Sequence, residues 1–175
     1  CNNENDNRTE CKWFPIAKGG SFRRWFGNNE FVVDWGNNGK SIRNCKNKLG
    51  VTLSRPQNVS FYFKEGLSWC DVATGLFSAR YQKTGYIYEN AGPGLIPNNQ
   101  FDLHYYALLV NSNSFQYFLN IYLHGLHYSC GVVSQMPVVD LKDKVEQHLK
   151  KYTILLSYFE SDWNSYEYSV NYLAH

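Results

Sequence analysis

Hydrophobic and polar positions change period along this chain, and the changes mark out its elements. In the first half, apolar residues fall in short runs of strand-forming types broken by turn residues. Glu30-Phe-Val-Val-Asp-Trp35 is one such run, closed by Gly36-Asn-Asn-Gly39. Val59-Ser-Phe-Tyr-Phe-Lys64 and Leu67-Ser-Trp-Cys-Asp-Val72 flank Glu65-Gly66 and predict a hairpin. Phe77 to Gln82 and Gly85 to Glu89 alternate with a period of two and predict a second one. Asn90 to Gly94 breaks that pattern, and Leu95-Ile96-Pro97 reads as a last short strand. From Asp102 to Leu123 the spacing lengthens to three and four, through Leu103, Tyr106, Ala107, Val110, Phe115, Phe118, Leu119 and Tyr122. Asn111-Ser-Asn-Ser114 interrupts it, so two short helices are expected. Val132 to Val138 reads as a strand ended by Pro137, and Leu141 to Phe159 as a helix with Leu141, Val145, Leu149, Tyr152 and Leu156 on one stripe. Between these elements, Lys40 to Ser54 is polar and basic, a solvated loop with a short helix over Ser41 to Lys48. Cys1 to Glu10 is an Asn-rich lead-in. The fold class is α+β.

Composition refines this in two respects. A chain of 175 residues with 43% hydrophobic and 17% aromatic content supports one well-buried domain and excludes a disordered chain. The net charge of +2 conceals an asymmetry: ten basic residues against three acidic ones from Arg8 to Arg55, then seven against ten from Pro56 onward. A cationic first third points to nucleic acid. Five cysteines, odd in number and without a Cys-x-x-Cys pair, fit neither a disulfide framework nor a zinc ribbon, so ordinary thiols in the cytoplasm are expected. No apolar run reaches the roughly 20 residues of a membrane span, and no membrane association is expected. The chain opens on Cys1 without a methionine and is polar at once, so it is expected to be a piece of a longer protein.

The densest candidate chemistry lies between Lys12 and Asn28. Lys12, Lys18, Arg23 and Arg24 stand there with Trp13, Phe14, Phe22, Trp25 and Phe26, and without one acid. Gly19-Gly20 lets a backbone turn approach an anion closely, and two guanidinium forks follow. Trp13 and Trp25 are either anchors or stacking faces. The alternative is that the aromatics are core and the cations a solvated rim. Other constellations are weaker. His124, His127 and Cys130 lack a fourth ligand, and no metal is expected. Cys70 and Cys130 sit in apolar surroundings and are expected to be inert. Asp71 and Glu89 would face each other across a hairpin but lack a suitably spaced lysine. There is no P-loop, no Gly-x-Gly-x-x-Gly after a strand, and no Pro-Pro pair of the kind that holds a flipped adenine in amino-methyltransferases. No catalytic residue is therefore assigned.

Several blocks resemble the C-terminal part of adenine-specific DNA methyltransferases of BREX-type phage-defence systems, relatives of the large type II restriction-modification methylases. They are Lys12-Trp-Phe-Pro15, Lys18 to Asn28, Arg55-Pro-Gln-Asn58, Tyr62 to Trp69, Gln135-Met-Pro137 and Asp162 to Glu167. The resemblance implies a target-recognition unit, strand-rich with hairpins and partly barrel-like, over residues 12–139. Residues 1–11 would be a lead-in, and residues 140–175 a connector helix and tail. It implies double-stranded DNA as partner, a methyltransferase domain in the same parent chain, and other defence-system proteins as further partners. S-adenosylmethionine would bind that parent and not this fragment. On this reading Lys12, Lys18, Arg23, Arg24, Lys46 and Lys48 contact phosphates, with Gly19, Gly20, Trp25 and Asn28 shaping the loop. Arg55, Gln57 and Asn58 face base edges, since Arg suits guanine and Gln or Asn suits adenine. The competing class is a structural or docking module, and a weaker one is a degenerate nuclease.

Overall fold

Part of the basic segment is itself a strand. In the computed structural model, which describes residues 12–99, 102–123, 125–139 and 144–172, β1 (Trp13–Ala17) is the middle strand of a three-stranded sheet. It pairs antiparallel with β2 (Phe31–Asp34), Trp13 opposite Asp34 and Ile16 opposite Phe31. The chain then enters α1 (Gly36–Arg43), whose first turn is irregular, with Asn37 and Asn38 left-handed at φ 52° and 57°. Asparagine tolerates that region better than other side chains. The helix expected over Ser41 to Lys48 thus begins earlier and stops at Arg43.

Four further strands are β3 (Gly66–Trp69), β4 (Ala79–Gln82), β5 (Ile87–Tyr88) and β6 (Gly94–Leu95). Neither expected hairpin forms. β3 sits between β4 and β6, antiparallel to both, while β5 joins the first sheet parallel to β1. The two sheets are separate and open, and no closed barrel appears among the described residues.

Aromatic burial explains the departure. Val59–Phe61 curls into a short 3₁₀ turn, and Phe63 takes a left-handed φ of 64°. This sends Tyr62 and Phe63 against β1: Trp35 and Tyr62 meet edge to face at 5.0 Å, Phe14 and Phe63 at 5.4 Å. Phe14, Trp35, Tyr62 and Ile87 form a small core there. Likewise Lys83 to Gly85 carries the chain from one sheet to the other, so two neighbouring runs of equal period serve different cores.

The expected helix pair is present as α2 (Leu103–Val110) and α3 (Asn113–Tyr122), with Ser112 accepting from the Phe115 amide at the start of α3. The strand expected over Val132 to Val138 is instead α4 (Cys130–Ser134), where the Ser129 hydroxyl accepts from the Val132 amide. α5 (Glu146–Asn164) runs five residues further than expected, and Leu141 lies outside the described residues.

The larger core gathers Phe26, Leu67, Trp69, Phe77, Leu103, Leu119 and Tyr128, and α5 closes it with Tyr152, Leu156 and Trp163. Each fully buried large apolar side chain contributes about 1.5–3 kcal/mol. Ion pairs at its end, Arg23 with Asp162 and Lys83 with Glu160, fix α5 in register against the body.

Candidate nucleic-acid interface

The strongest charge feature is a carboxylate-free interval. From Trp35 to Lys64 no acidic residue occurs, while Lys40, Arg43, Lys46, Lys48, Arg55 and Lys64 do. Local structure holds several of them outward. Arg43 lies over the Trp35 ring at 5.4 Å and its Nε donates to the Asn38 carbonyl at 2.8 Å. Lys46 and Lys48 are exposed on a tight turn built by Asn47, whose amide donates to the Val51 carbonyl at 2.9 Å. Beyond that turn Arg55, Gln57 and Asn58 are all exposed, and Asn58 takes a left-handed φ of 54°.

These three line a cleft of about 1060 Å³, whose walls include Trp35, Tyr62, Tyr88, Glu89, Leu95 and Tyr106. Glu89 presents a buried carboxylate oxygen with no hydrogen-bond partner among the described residues. Burial pushes the Tyr62 hydroxyl above its ordinary pKa, with Arg43 opposing and Glu89 adding to the rise. Aromatic walls, two carboxylates, Asp71 and Glu89, and the guanidinium and amides of Arg55, Gln57 and Asn58 suit planar groups carrying N–H donors.

The Lys12 to Asn28 cluster is built differently from the sequence expectation. Arg23 faces inward: its Nε donates to the Phe26 carbonyl at 2.9 Å, its Nη2 to Asp162 Oδ2 at 2.5 Å, and its guanidinium covers the Trp163 ring at 4.6 Å. Trp25 offers no stacking face. It sits half-buried against Tyr152 at 5.3 Å, and its carbonyl accepts from the Tyr81 amide. Asn28 is buried, left-handed at φ 59°, and donates to the Ser21 carbonyl at 2.9 Å. Gly19 and Gly20 serve internal close approach: a methyl at Gly19 would stand 2.8 Å from the Ala91 carbonyl oxygen, and one at Gly20 2.7 Å from Asn28 Nδ2. Lys12 and Lys18 are exposed, Lys12 beside Asp34 at 3.7 Å and Lys18 over Phe31 at 5.0 Å. Half-buried Arg24 lies over Phe22, itself 55% exposed, at 5.5 Å. Of the cluster, Lys12 and Lys18 are exposed, and Arg24 is half-buried with its Nε buried and without a partner among the described residues.

The sequence reading missed Arg80. It is fully buried on β4, donates from Nη2 to the Lys18 carbonyl at 3.4 Å, and has Nε and Nη1 without partners among the described residues. Burial brings its pKa down to about 10, with Cys70 acting weakly the other way, so it remains charged at neutral pH. The sequence carried no signal for it: in Phe77 to Gln82 the apolar phase is Phe77, Ala79 and Tyr81 and Arg80 falls on the polar phase with Ser78 and Gln82, yet the polar phase is buried as well.

Neither expected inert thiol is deeply buried: Cys70 is half-buried and Cys130 exposed. Desolvation of its sulfur and the nearby Asp71 carboxylate nevertheless push the Cys130 thiol up, which works against thiolate chemistry. His127 Nδ1 lies 3.3 Å from Asp71 Oδ2, His124 is outside the described residues, and no group of three metal-ligating side chains assembles among the described residues. The glycines at 92 and 94 lead into β6 and not into a helix, so they do not fit the phosphate- or nucleoside-cradling turn that S-adenosylmethionine would use. No helix among the described residues is long and apolar enough to cross a membrane.

No family model matches the chain. Its similarity is to segments of adenine-specific methyltransferases, the class with which sheet, cleft and cationic rim have to be reconciled. Adenine-specific methyltransferase PglX of Lacticaseibacillus casei strain Zhang is 35% identical over 158 residues, which are 90% of this chain and 13% of that protein. Adenine-specific methyltransferase BrxX of Escherichia coli O9:H4 strain HS is 36% identical over 160 residues, 90% of this chain and 12% of that protein. The chain therefore spans about an eighth of the length of the curated relatives it matches.

Proposed function

We propose that this chain is the DNA-recognition segment of a longer adenine-specific methyltransferase of a BREX-type phage-defence system. The observation that carries the reading is the carboxylate-free interval from Trp35 to Lys64, in which Lys46, Lys48, Arg55, Gln57 and Asn58 are exposed and the last three line the aromatic cleft. Phosphate contacts fall to Lys12, Lys18, Arg24, Lys46 and Lys48, and base edges to Arg55, Gln57 and Asn58. Arg23, Trp25 and Asn28 support the loop from within. Methyl transfer and S-adenosylmethionine belong to the rest of the parent, for which residues 12–139 act as reader and α5 as the element that sets spacing.

The test is methylation-site sequencing and mobility-shift titration of the longer protein. Arg55→Ala, Gln57→Ala and Asn58→Ala each relax base preference at one position by about 1–3 kcal/mol. Unchanged target choice in all three removes them as readers. A second reading, a docking module, is favoured by the outward apolar side chains Tyr117 and Ile121 on α3 and Ile154 and Tyr158 on α5. Charge substitutions there that separate the chain from its parent's catalytic part, with DNA affinity intact, would support that role.

A further inference from the structure

The turn between Lys46 and Thr52 is a small rigid ribbon. Lys46 and Thr52 face each other as an antiparallel bridge. The Asn47 amide donates to the Val51 carbonyl at 2.9 Å, the Leu53 amide to the Cys45 carbonyl at 2.9 Å, and the Gly50 amide to the Asn47 carbonyl at 3.0 Å. Asn47 Oδ1 accepts from both the Leu49 and Val51 amides, each at 2.9 Å, and Gly50 supplies the left-handed φ of 78° that closes the loop. At the tip stands Leu49, 87% exposed, followed by Val51 at 58% and Leu53 at 62%. Strand pairing sends Val51 and Leu53 to the face opposite Lys46. The product is a stiff projection with an apolar point, two lysines on its incoming strand and no acid within reach along the chain.

Folding does not explain the point, because Leu49 packs on neither hydrophobic core. A lone exposed leucine is ordinary, but a leucine held at the apex of a side-chain-braced turn, directly after Lys46 and Lys48 on the incoming strand, is the form of a wedge. Such apolar wedges enter between base pairs and unstack them while flanking cations hold the phosphates. Building on the DNA-recognition reading above, we infer that Leu49 inserts into the base stack of bound duplex. Lys46 and Lys48, both on the incoming strand, hold phosphates on one side of the opened step. DNA is preferred over an anionic lipid surface because the same segment continues into the amide and guanidinium side chains that suit base edges and have no lipid counterpart.

The experiment uses the longer methyltransferase with duplexes in which 2-aminopurine replaces adenine one position at a time across its methylation site. On saturation with the unmodified protein, fluorescence rises several-fold at one step. Leu49→Ser abolishes that rise while affinity weakens no more than about tenfold and the salt dependence keeps its slope; Leu49→Phe restores it. Lys46→Ala with Lys48→Ala lowers the salt slope by about 2 and leaves the rise intact at saturation. A duplex that binds without any fluorescence change, or a Leu49→Ser protein that keeps the change, overturns the wedge and leaves recognition standing. Absence of binding to every duplex overturns recognition and wedge together. Binding to phosphatidylserine vesicles that Leu49→Ser abolishes, with the DNA response unaltered, reassigns the ribbon to a membrane surface. Circular dichroism of each variant verifies the fold, which an 87% exposed side chain should leave undisturbed.

Discussion

Replacing Arg23 by alanine separates support of the fold from contact with DNA. Three interactions are lost together: the pair with Asp162 at 2.5 Å, the N–H bond to the Phe26 carbonyl at 2.9 Å and the cover over Trp163 at 4.6 Å. Asp162 is 54% exposed, so its partner contributes no more than about 1 kcal/mol and leaves no stranded charge. The carbonyl bond adds about 1 kcal/mol, and the ring contact about 0.5–1 kcal/mol. Because the three share one side chain they do not add fully, and the expected loss is about 2 kcal/mol in urea denaturation followed by tryptophan fluorescence. The Arg23→Ala, Asp162→Ala double-mutant cycle should give a coupling of about 0.5–1 kcal/mol. DNA affinity at temperatures where the variant is folded should stay within about twofold. A stability change below about 0.5 kcal/mol, together with a salt slope reduced by about one, would refute the reasoning and return Arg23 to the phosphate contacts.

Three further outcomes follow from the same geometry. Arg24→Ala, whose guanidinium rests on exposed Phe22, should lower the salt slope by about one with stability changed by no more than about 1 kcal/mol; an unaltered slope in a titration at several salt concentrations would exclude it from the interface. Arg80→Met should raise stability at neutral pH by about 1–3 kcal/mol, since burial of a poorly paired cation opposes folding. A marked loss in chemical denaturation would show that the guanidinium is satisfied in solution. Tyr86 has its hydroxyl pushed up to about 12, chiefly by burial, with Asn171 lowering and Glu160 raising it. The unfolded chain ionises near pH 10 and the folded one near 12, so its contribution is whole below pH 10 and falls by about 2–3 kcal/mol between the two. Tyr86→Phe should remove that part of the alkaline loss in a pH series of denaturation curves.

Much of the helical fold was legible because spacing by three and four has few competing meanings: α2 and α3 fall within Asp102 to Leu123 and part at the polar tetrad. Strand partners were not legible. Period-two alternation in Val59 to Lys64 and Gly85 to Glu89 reports two faces but not which neighbour covers them, and the aromatic pairs Trp35–Tyr62 and Phe14–Phe63 decided that through tertiary packing. For α4, two valines suggested a strand, and the cap offered by Ser129 outweighed them. The cationic segment was recognised as a cluster, yet the sequence could not tell an inward guanidinium from an outward one. Arg23 and Arg24 are adjacent, and only the arrival of Asp162 and Trp163 from α5 distinguishes them.

The threading of β5 beside β1, with α5 closing the larger core, has a consequence for biosynthesis. During translation the opening strand waits some seventy residues for its parallel neighbour, Ile16 for Ile87, and the segment around Arg23 waits longer still for Asp162. A ribosome-bound intermediate would therefore display its positively charged, ring-rich stretch unclosed until the last turns of α5 emerge. Nascent chains halted before Trp163 should be captured by holdase chaperones, and those released beyond it should not.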